Sequence, residues 1–371
     1  MDNREDTEDA KVGIVTAPTA HESQVNPINR FIDIISPSST NLVLFGGGIT
    51  KKHLQKNSID VFENIGDYFS DISILNYAVL QISIMGKLYD LRNEIGLIYF
   101  HKGAMGYWIA VLFTRLIGLN TCVIKVGAFA NRRSKDNSIK ANVLFGFQYL
   151  SFFFSNGAVV FSQSEVDTVP NSNTFVAFSN YRDFDRFGID KGFSDRQIDI
   201  GFVGGFSEVN GIRNLTIASQ NIHQKNSDVK IRFVGDGPLF DEIQSYTENK
   251  NFIELAGWVP NENIAEELNN MKFVFMPSQA EGLPTTAIEA MACGAIVVAT
   301  PVGSLKDIIK DGEVGFVLEN NSQEIIASKF QYINKYENAD EIIENQRELV
   351  EEKYSLSEGQ DSYARITTEL C

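Results

Sequence analysis

Short apolar runs alternate with longer stretches of helical periodicity along most of the 371 residues. The first set of runs is VGIVTA (12–17), NLVLF (41–45), IGLIYF (95–100), TCVIKV (121–126) and AVVF (158–161), with helical stretches near 26–35, 76–92, 104–117 and 138–154. A second set begins with DIGFVGG (199–205) and continues through KIRFVGDG (230–237), FIELAG (252–257), KFVFMP (272–277), AIVVAT (295–300) and VGFVL (314–318). Helices near 211–222, 238–248, 262–270, 284–293, 304–310 and 322–334 separate these. Such alternation is the signature of parallel α/β architecture, and its restart predicts two doubly wound units in series. The expected division is an acidic tail over residues 1–10, a first unit over 11–190 and a second over 191–354. The polar stretch GIDKGFSDRQ (188–197) joins the units, and the tail from about 338 to 371 reads as helix throughout, its part over 355–371 expected to pack back on the first.

Composition changes this picture little. Hydrophobic residues at 43% and charged residues at 22% describe an ordinary globular protein. The net charge of −16 argues against a nucleic-acid partner, since neutralising phosphates takes a basic face. Cys122, Cys293 and Cys371 lie far apart with no C-x-x-C spacing, so no disulfide framework and no metal site is expected, and reduced thiols in a cytoplasm fit. The N-terminal MDNREDTEDAK lacks an apolar core and does not read as a signal peptide, and no run reaches the ~18 apolar residues that span a bilayer.

The chemistry concentrates in EGLPTTAIEAMACG (281–294), where Glu281 and Glu289 flank a turn that opens a helix. Pro284 suits the first helical position, and the amides of Leu283, Thr285 and Thr286 would then face an anion such as phosphate at the helix N-terminus. A carboxylate accepts hydrogen bonds and repels phosphate, so each glutamate should meet hydroxyls on either side of it, and a sugar, phosphate, ribose ligand fits. Acidic residues at helix starts also serve simply to complement the dipole, and two glutamates alone do not separate that reading from ligand binding. GDGPLF (235–240) ends in Phe240 where a dinucleotide fingerprint needs glycine, so NAD binding is not indicated.

The neighbourhood carries a resemblance. VGG…NG…A (203–218), FVGDGP (233–238), LAGWVP (255–260), MPSQAEGLPTTAIEAMACGAIVVATPVGSLKDII (276–309) and DGEVGFVLEN (311–320) resemble the retaining glycosyltransferases of family 4, with their E-x(7)-E motif. That resemblance implies the GT-B fold, two Rossmann-like domains facing across a cleft. It also implies transfer of a sugar from a nucleotide-sugar donor with retention at the anomeric carbon and no required metal or cofactor. By the same resemblance Glu289 would hold the ribose hydroxyls and Glu281 the donor sugar near the reacting centre. Gly282, Leu283, Pro284 and Thr285 would shape the phosphate pocket, and Gly204, Gly235, Gly257 and Trp258 would line the nucleotide.

One departure is informative. The family usually reads V-G-R-L-x-x-x-K-G where this chain has VGGFSEVNG (203–211), so Gly205 and Asn210 stand in place of two cations that clamp the donor diphosphate. Arg213, or Lys306 near another helix start, is the candidate substitute; otherwise the chain is a non-catalytic homologue that binds a nucleotide sugar or supports an active partner.

In the first unit His101, at the end of IGLIYF, is a candidate cleft residue, and reads equally as a histidine bonded within its loop. Family members often carry a histidine in the next strand-end loop, where KVGAF leaves Lys125 as the nearest polar candidate. The basic KVGAFANRRSKDNSIK (125–140) precedes the uncharged, apolar ANVLFGFQYLSFFF (141–154). That pairing suits either a solvated loop before a core helix or peripheral contact of 125–154 with the cytoplasmic face of an anionic membrane, where a glycan or lipid-linked acceptor would be met.

Overall fold

The computed structural model describes residues 11–20, 24–38, 41–54, 59, 61–66, 74–101, 104–125, 139–282 and 285–371. The acidic tail, the basic loop at 126–138, Leu283 and Pro284 lie outside the described residues. The chain forms two compact units, one running to Tyr181 and including Leu356–Cys371, the other spanning Arg182–Ser355.

In the first unit, strands β1 (Lys11–Val15), β2 (Leu42–Gly46), β3 (Val61–Asn64), β4 (Ile95–Phe100), β5 (Asn120–Ile124), β6 (Gly157–Val160) and β7 (Thr174–Val176) make one sheet in the order β3-β2-β1-β4-β5-β6-β7. Every pairing is parallel. The inner strands are buried because helices cover both faces, which explains their unbroken apolar sequence. Helices α1 (Asn26–Ile35), α2 (Thr50–His53), α3 (Ile74–Asp90), α4 (Trp108–Leu116) and α5 (Ile139–Phe154) connect them. Val15, Phe45, Ile98, Phe100, Val123 and Val160 centre the core.

The second unit repeats the plan. Strands β8 (Ile198–Val203), β9 (Ile231–Val234), β10 (Ile253–Gly257), β11 (Met271–Met276), β12 (Ile296–Ala299) and β13 (Phe316–Val317) form a parallel sheet in the order β10-β9-β8-β11-β12-β13. Helices α6 (Ile212–Lys225), α7 (Phe240–Thr247), α8 (Ile264–Asn269), α9 (Thr285–Ala292), α10 (Leu305–Ile308), α11 (Gln323–Ile333) and α12 (Ala339–Tyr354) flank it. Phe202, Phe206, Phe233, Phe273, Phe275, Phe316 and Phe330 form its core.

Three details differ from the sequence reading. Strands β3 and β7 went unread because both are short edge strands with side chains only half-buried, and β3 carries Glu63 and Asn64. The continuous helix expected after 338 breaks at Ser355, which is extended (φ −70°, ψ 160°), and a separate helix α13 (Leu356–Leu370) follows. The division falls at Tyr181 and Arg182, ahead of the polar stretch, because 182–187 is bound to α12: the Arg182 amide donates to the Tyr354 carbonyl at 3.0 Å, and the Arg347 guanidinium donates to the Phe184 and Phe187 carbonyls. Helix α13 packs in the first unit on α1, where Tyr363 meets Phe31 edge-on at 5.1 Å and Gly359 admits Ile34 against the helix backbone.

Candidate functional site

In the second unit the strand order reverses between β8 and β11, since β8 is followed in sequence by β9 on one side while β11 lies on the other. The loops that leave the carboxyl ends of these two strands therefore diverge and open a crevice, which is where doubly wound sheets bind ligands. The loop after β8 is 204–211 and the loop after β11 is 277–284, so the glycine-rich segment and the first glutamate meet at this switch point.

The two loops are tied together. The Gln279 amide donates to the Val209 carbonyl at 2.7 Å. Gly211 stands at φ 74°, where a Cβ would lie 2.1 Å from the Pro277 carbonyl oxygen, so both the left-handed turn and the close approach require glycine. Gly303, at φ 56°, approaches the Glu281 carbonyl in the same way, with 2.2 Å to a Cβ. Next to it the Ser304 hydroxyl donates to the Gly282 carbonyl at 2.7 Å, and the Thr300 hydroxyl donates to the Ser278 carbonyl. The turn carrying Glu281 is thus fastened from β8 and from β12. Farther along the same edge, Gly204 donates to Val234, Phe206 to Asp236 and Gly235 to Gly257, which binds the ends of β8, β9 and β10 together. Trp258, just beyond, is 71% exposed.

Glu281 is half-buried, and the Ser278 hydroxyl donates to its Oε1 at 2.7 Å. Burial pushes the Glu281 carboxyl above the usual range, against the opposing pull of that hydrogen bond. Helix α9 starts at Thr285, so the amides of its first turn lack helical acceptors. Glu289 lies in its second turn, 8% exposed, and its Oε1 is 3.0 Å from the guanidinium Nε of Arg182, itself only 3% exposed. Glu281, Glu289, Gly204, Gly205, Gly235, Gly257, Trp258, Gly282 and Thr285 all belong to the carboxyl edge of this one sheet or to the helix rising from it.

The cation positions behave differently. The Asn210 side-chain amide donates to the Gly205 carbonyl at 2.8 Å, closing the loop on itself where the related motif would offer charges. Arg213 is engaged: its Nε and Nη2 both donate to the Glu242 carboxylate at 2.6 Å, and it also pairs with Glu208. As a substitute clamp it would first have to leave two glutamates. Lys306 is exposed on α10 and, among the described residues, no ion pair holds it.

The first-unit candidates are internal. His101 is 1% exposed, stacked on Phe31 with ring centroids 4.4 Å apart, and its Nε2 lies 3.2 Å from the Ser179 hydroxyl. Lys125, 2% exposed, donates to Glu165 Oε1 at 2.8 Å and to the Thr168 hydroxyl at 3.1 Å. Neither has the exposure of a group waiting for an acceptor. The sequence reading missed Arg182, Ser278 and Ser304. Ser278 and Ser304 lie within the motif segments, whereas nothing local marks Arg182, whose partner is remote in sequence.

Residues 183–349 match the family model for glycosyl transferases group 1. An uncharacterised glycosyltransferase of Methanocaldococcus jannaschii is 32% identical over 151 residues, 40% of this chain and 42% of that protein. The N-acetyl-alpha-D-glucosaminyl L-malate synthase of Bacillus anthracis is 22% identical over 276 residues, 70% of this chain and 72% of the synthase. Among solved structures, Anabaena HepE in complex with UDP superposes with a TM-score of 0.75 at 17% identity, covering 96% of this chain and all of HepE. Two parallel Rossmann-like sheets are the GT-B architecture, and the matched region contains the whole switch-point site. The match to glycosyl transferases group 1 thus falls on the unit that carries Glu281 and Glu289.

Proposed function

We propose that this chain is a family 4 glycosyltransferase of hexosyltransferase type, which moves a sugar from a nucleotide-sugar donor to a glycan or lipid-linked acceptor with retention and without a metal. The observation that carries this reading is the fastened turn at Glu281 beside the N-terminus of α9, at the switch point of the group 1 domain. HepE, solved with UDP, supports the donor class. In this mechanism the bond between the anomeric carbon and the donor's phosphate oxygen breaks and the acceptor hydroxyl oxygen bonds to that carbon from the same face. The hydroxyl proton passes to the leaving phosphate. The amides opening α9 would stabilise the negative charge developing there.

Glu281 would receive a hydroxyl of the donor sugar and Glu289 the ribose, with glycans of a cell surface as the product class. Titration calorimetry with UDP-, GDP-, ADP- and dTDP-sugars is expected to find one that binds, with transfer or slow hydrolysis of that donor unaffected by a chelator. Silence across the panel sinks the reading. A second reading, a non-catalytic homologue, is favoured by Gly205 and Asn210 bonded to each other and Arg213 held by glutamates; binding with no turnover would select it.

We also propose peripheral attachment at the cytoplasmic face of a membrane. Helices α3, α4 and α5 pack side by side in the first unit and expose Val79, Ile82, Leu116, Val143, Tyr149 and Phe153. Among the described residues no helix is long and apolar enough to cross a bilayer. Cosedimentation with vesicles containing phosphatidylglycerol should exceed that with phosphatidylcholine alone and weaken with salt. Equal, negligible binding to both would remove the membrane from this proposal.

A further inference from the structure

Arg182 and Glu289 are both among the buried charged residues of the second unit and form an ion pair at 3.0 Å. A buried pair of this kind is weak support for stability by itself, because desolvating both charges offsets much of their attraction. Its geometry is nonetheless firmly built. The Arg182 amide is bound by the Tyr354 carbonyl at 3.0 Å, and the segment that follows is held to α12 by Arg347. Glu289 is carried on a helix whose inner face, Ala287, Ile288, Ala290 and Met291, is wholly enclosed. A guanidinium is thus delivered to one particular carboxylate from a remote part of the chain.

We infer that Arg182 is a positioning residue for donor recognition, keeping Glu289 ionised and setting where its oxygens stand, so that the nucleotide's ribose hydroxyls meet a preset acceptor. This rests on the reading of Glu289 as the ribose ligand. An ionised carboxylate accepts from two hydroxyls, whereas a protonated one presents a donor of its own. A buried carboxyl that loses its counter-ion takes up a proton more readily.

Other charged or titratable groups lie around α9, and the Cys293 thiol feels the Glu289 charge. Arg196 donates to the Cys293 carbonyl and Arg347 to the Ala292 carbonyl. Glu267 on α8 is bound by Arg232 at 2.7 Å, and its neighbour Glu266 is exposed. Asp190 lies near Cys293, whose thiol is pushed up to about 12 by burial, and the buried Tyr354 phenol is pushed up as well, so both stay neutral.

The test compares wild type with Arg182→Lys and Arg182→Met in calorimetric titrations against the UDP-, GDP-, ADP- and dTDP-sugar panel, between about pH 5.5 and 8.5. Wild type and Arg182→Lys should bind with little pH dependence. Arg182→Met should bind about tenfold more weakly at the acid end and recover as pH rises and Glu289 ionises. Affinity of Arg182→Met that is equal to wild type and flat with pH overturns the inference.

The infrared carboxylate band that distinguishes wild type from Glu289→Gln, followed from about pH 4 to 8, reads the ionisation directly. It needs neither a donor nor a folded Arg182→Met. A Glu289 ionised across that range supports the inference, and protonation near neutrality overturns it. If no donor binds wild type, the glycosyltransferase reading fails on its own, and the band still decides whether Glu289 is ionised beside Arg182.

Discussion

Glu289→Ala is expected to abolish nucleotide-sugar binding and to cost about 3–5 kcal/mol of folding stability. Two separate effects combine. The substitution removes the acceptor proposed for the ribose hydroxyls, and it withdraws the carboxylate that faces the 3%-exposed Arg182 at 3.0 Å. A guanidinium stripped of its counter-charge in a buried site is far costlier than the pair was favourable. Glu289→Gln keeps the shape and an accepting oxygen, and should lose less stability while still weakening the donor. Denaturant unfolding of the three proteins beside calorimetry with the bound donor measures both. A Glu289→Ala protein as stable as wild type would show that Arg182 and Glu289 hold no such pair in solution.

Glu281→Gln should separate stability from turnover. Burial raises the Glu281 carboxyl, so the folded protein binds this proton more tightly than the unfolded chain does. The sign follows from linkage: the folded state holds more protons than the unfolded one between the ordinary carboxylate range and the raised value, so this group's contribution to stability is fullest at acid pH and declines as pH rises through it. Above that window wild type carries an ionised, partly buried carboxylate and the glutamine variant does not. Glu281→Gln is therefore expected to melt at or above the wild-type temperature at neutral pH, with the gain shrinking toward about pH 4, where both are neutral. Turnover should fall by on the order of a hundredfold, as expected for loss of a preset charge beside a reacting centre. Thermal melts across pH and donor turnover at saturation check both halves. A variant that loses stability at neutral pH would place Glu281 among structural residues instead.

Much of the second unit was legible in the chain. Runs such as DIGFVGG and KFVFMP are apolar because parallel strands are covered on both faces, so the alternation of strand and helix survives in sequence. Edge strands lose that signal: Val61–Asn64 and Thr174–Val176 are wetted, short and partly polar. Glu281 and Glu289 could be singled out because a loop, a turn proline and a helix start fall within one short segment, where spacing translates directly into geometry. The substitutes for the missing cations could not be judged in the same way. Arg213 and Lys306 are equivalent as letters, and only the fold places Arg213 against Glu242 and Glu208. Lys125 likewise looked like an available cation at a strand end, and is enclosed with Glu165 and Thr168.

The sequence by itself determined the α/β class, the two sheets' main strands and the turn-and-helix segment holding the glutamates, because hydrophobic periodicity and backbone propensity act between near neighbours. Tertiary structure alone decided which charges are committed. It brought Arg182 to Glu289, Ser304 to the Gly282 carbonyl and Asn210 back onto Gly205. A charge pair depends on distance and burial in space, and the packing that sets both is assembled from elements remote along the chain.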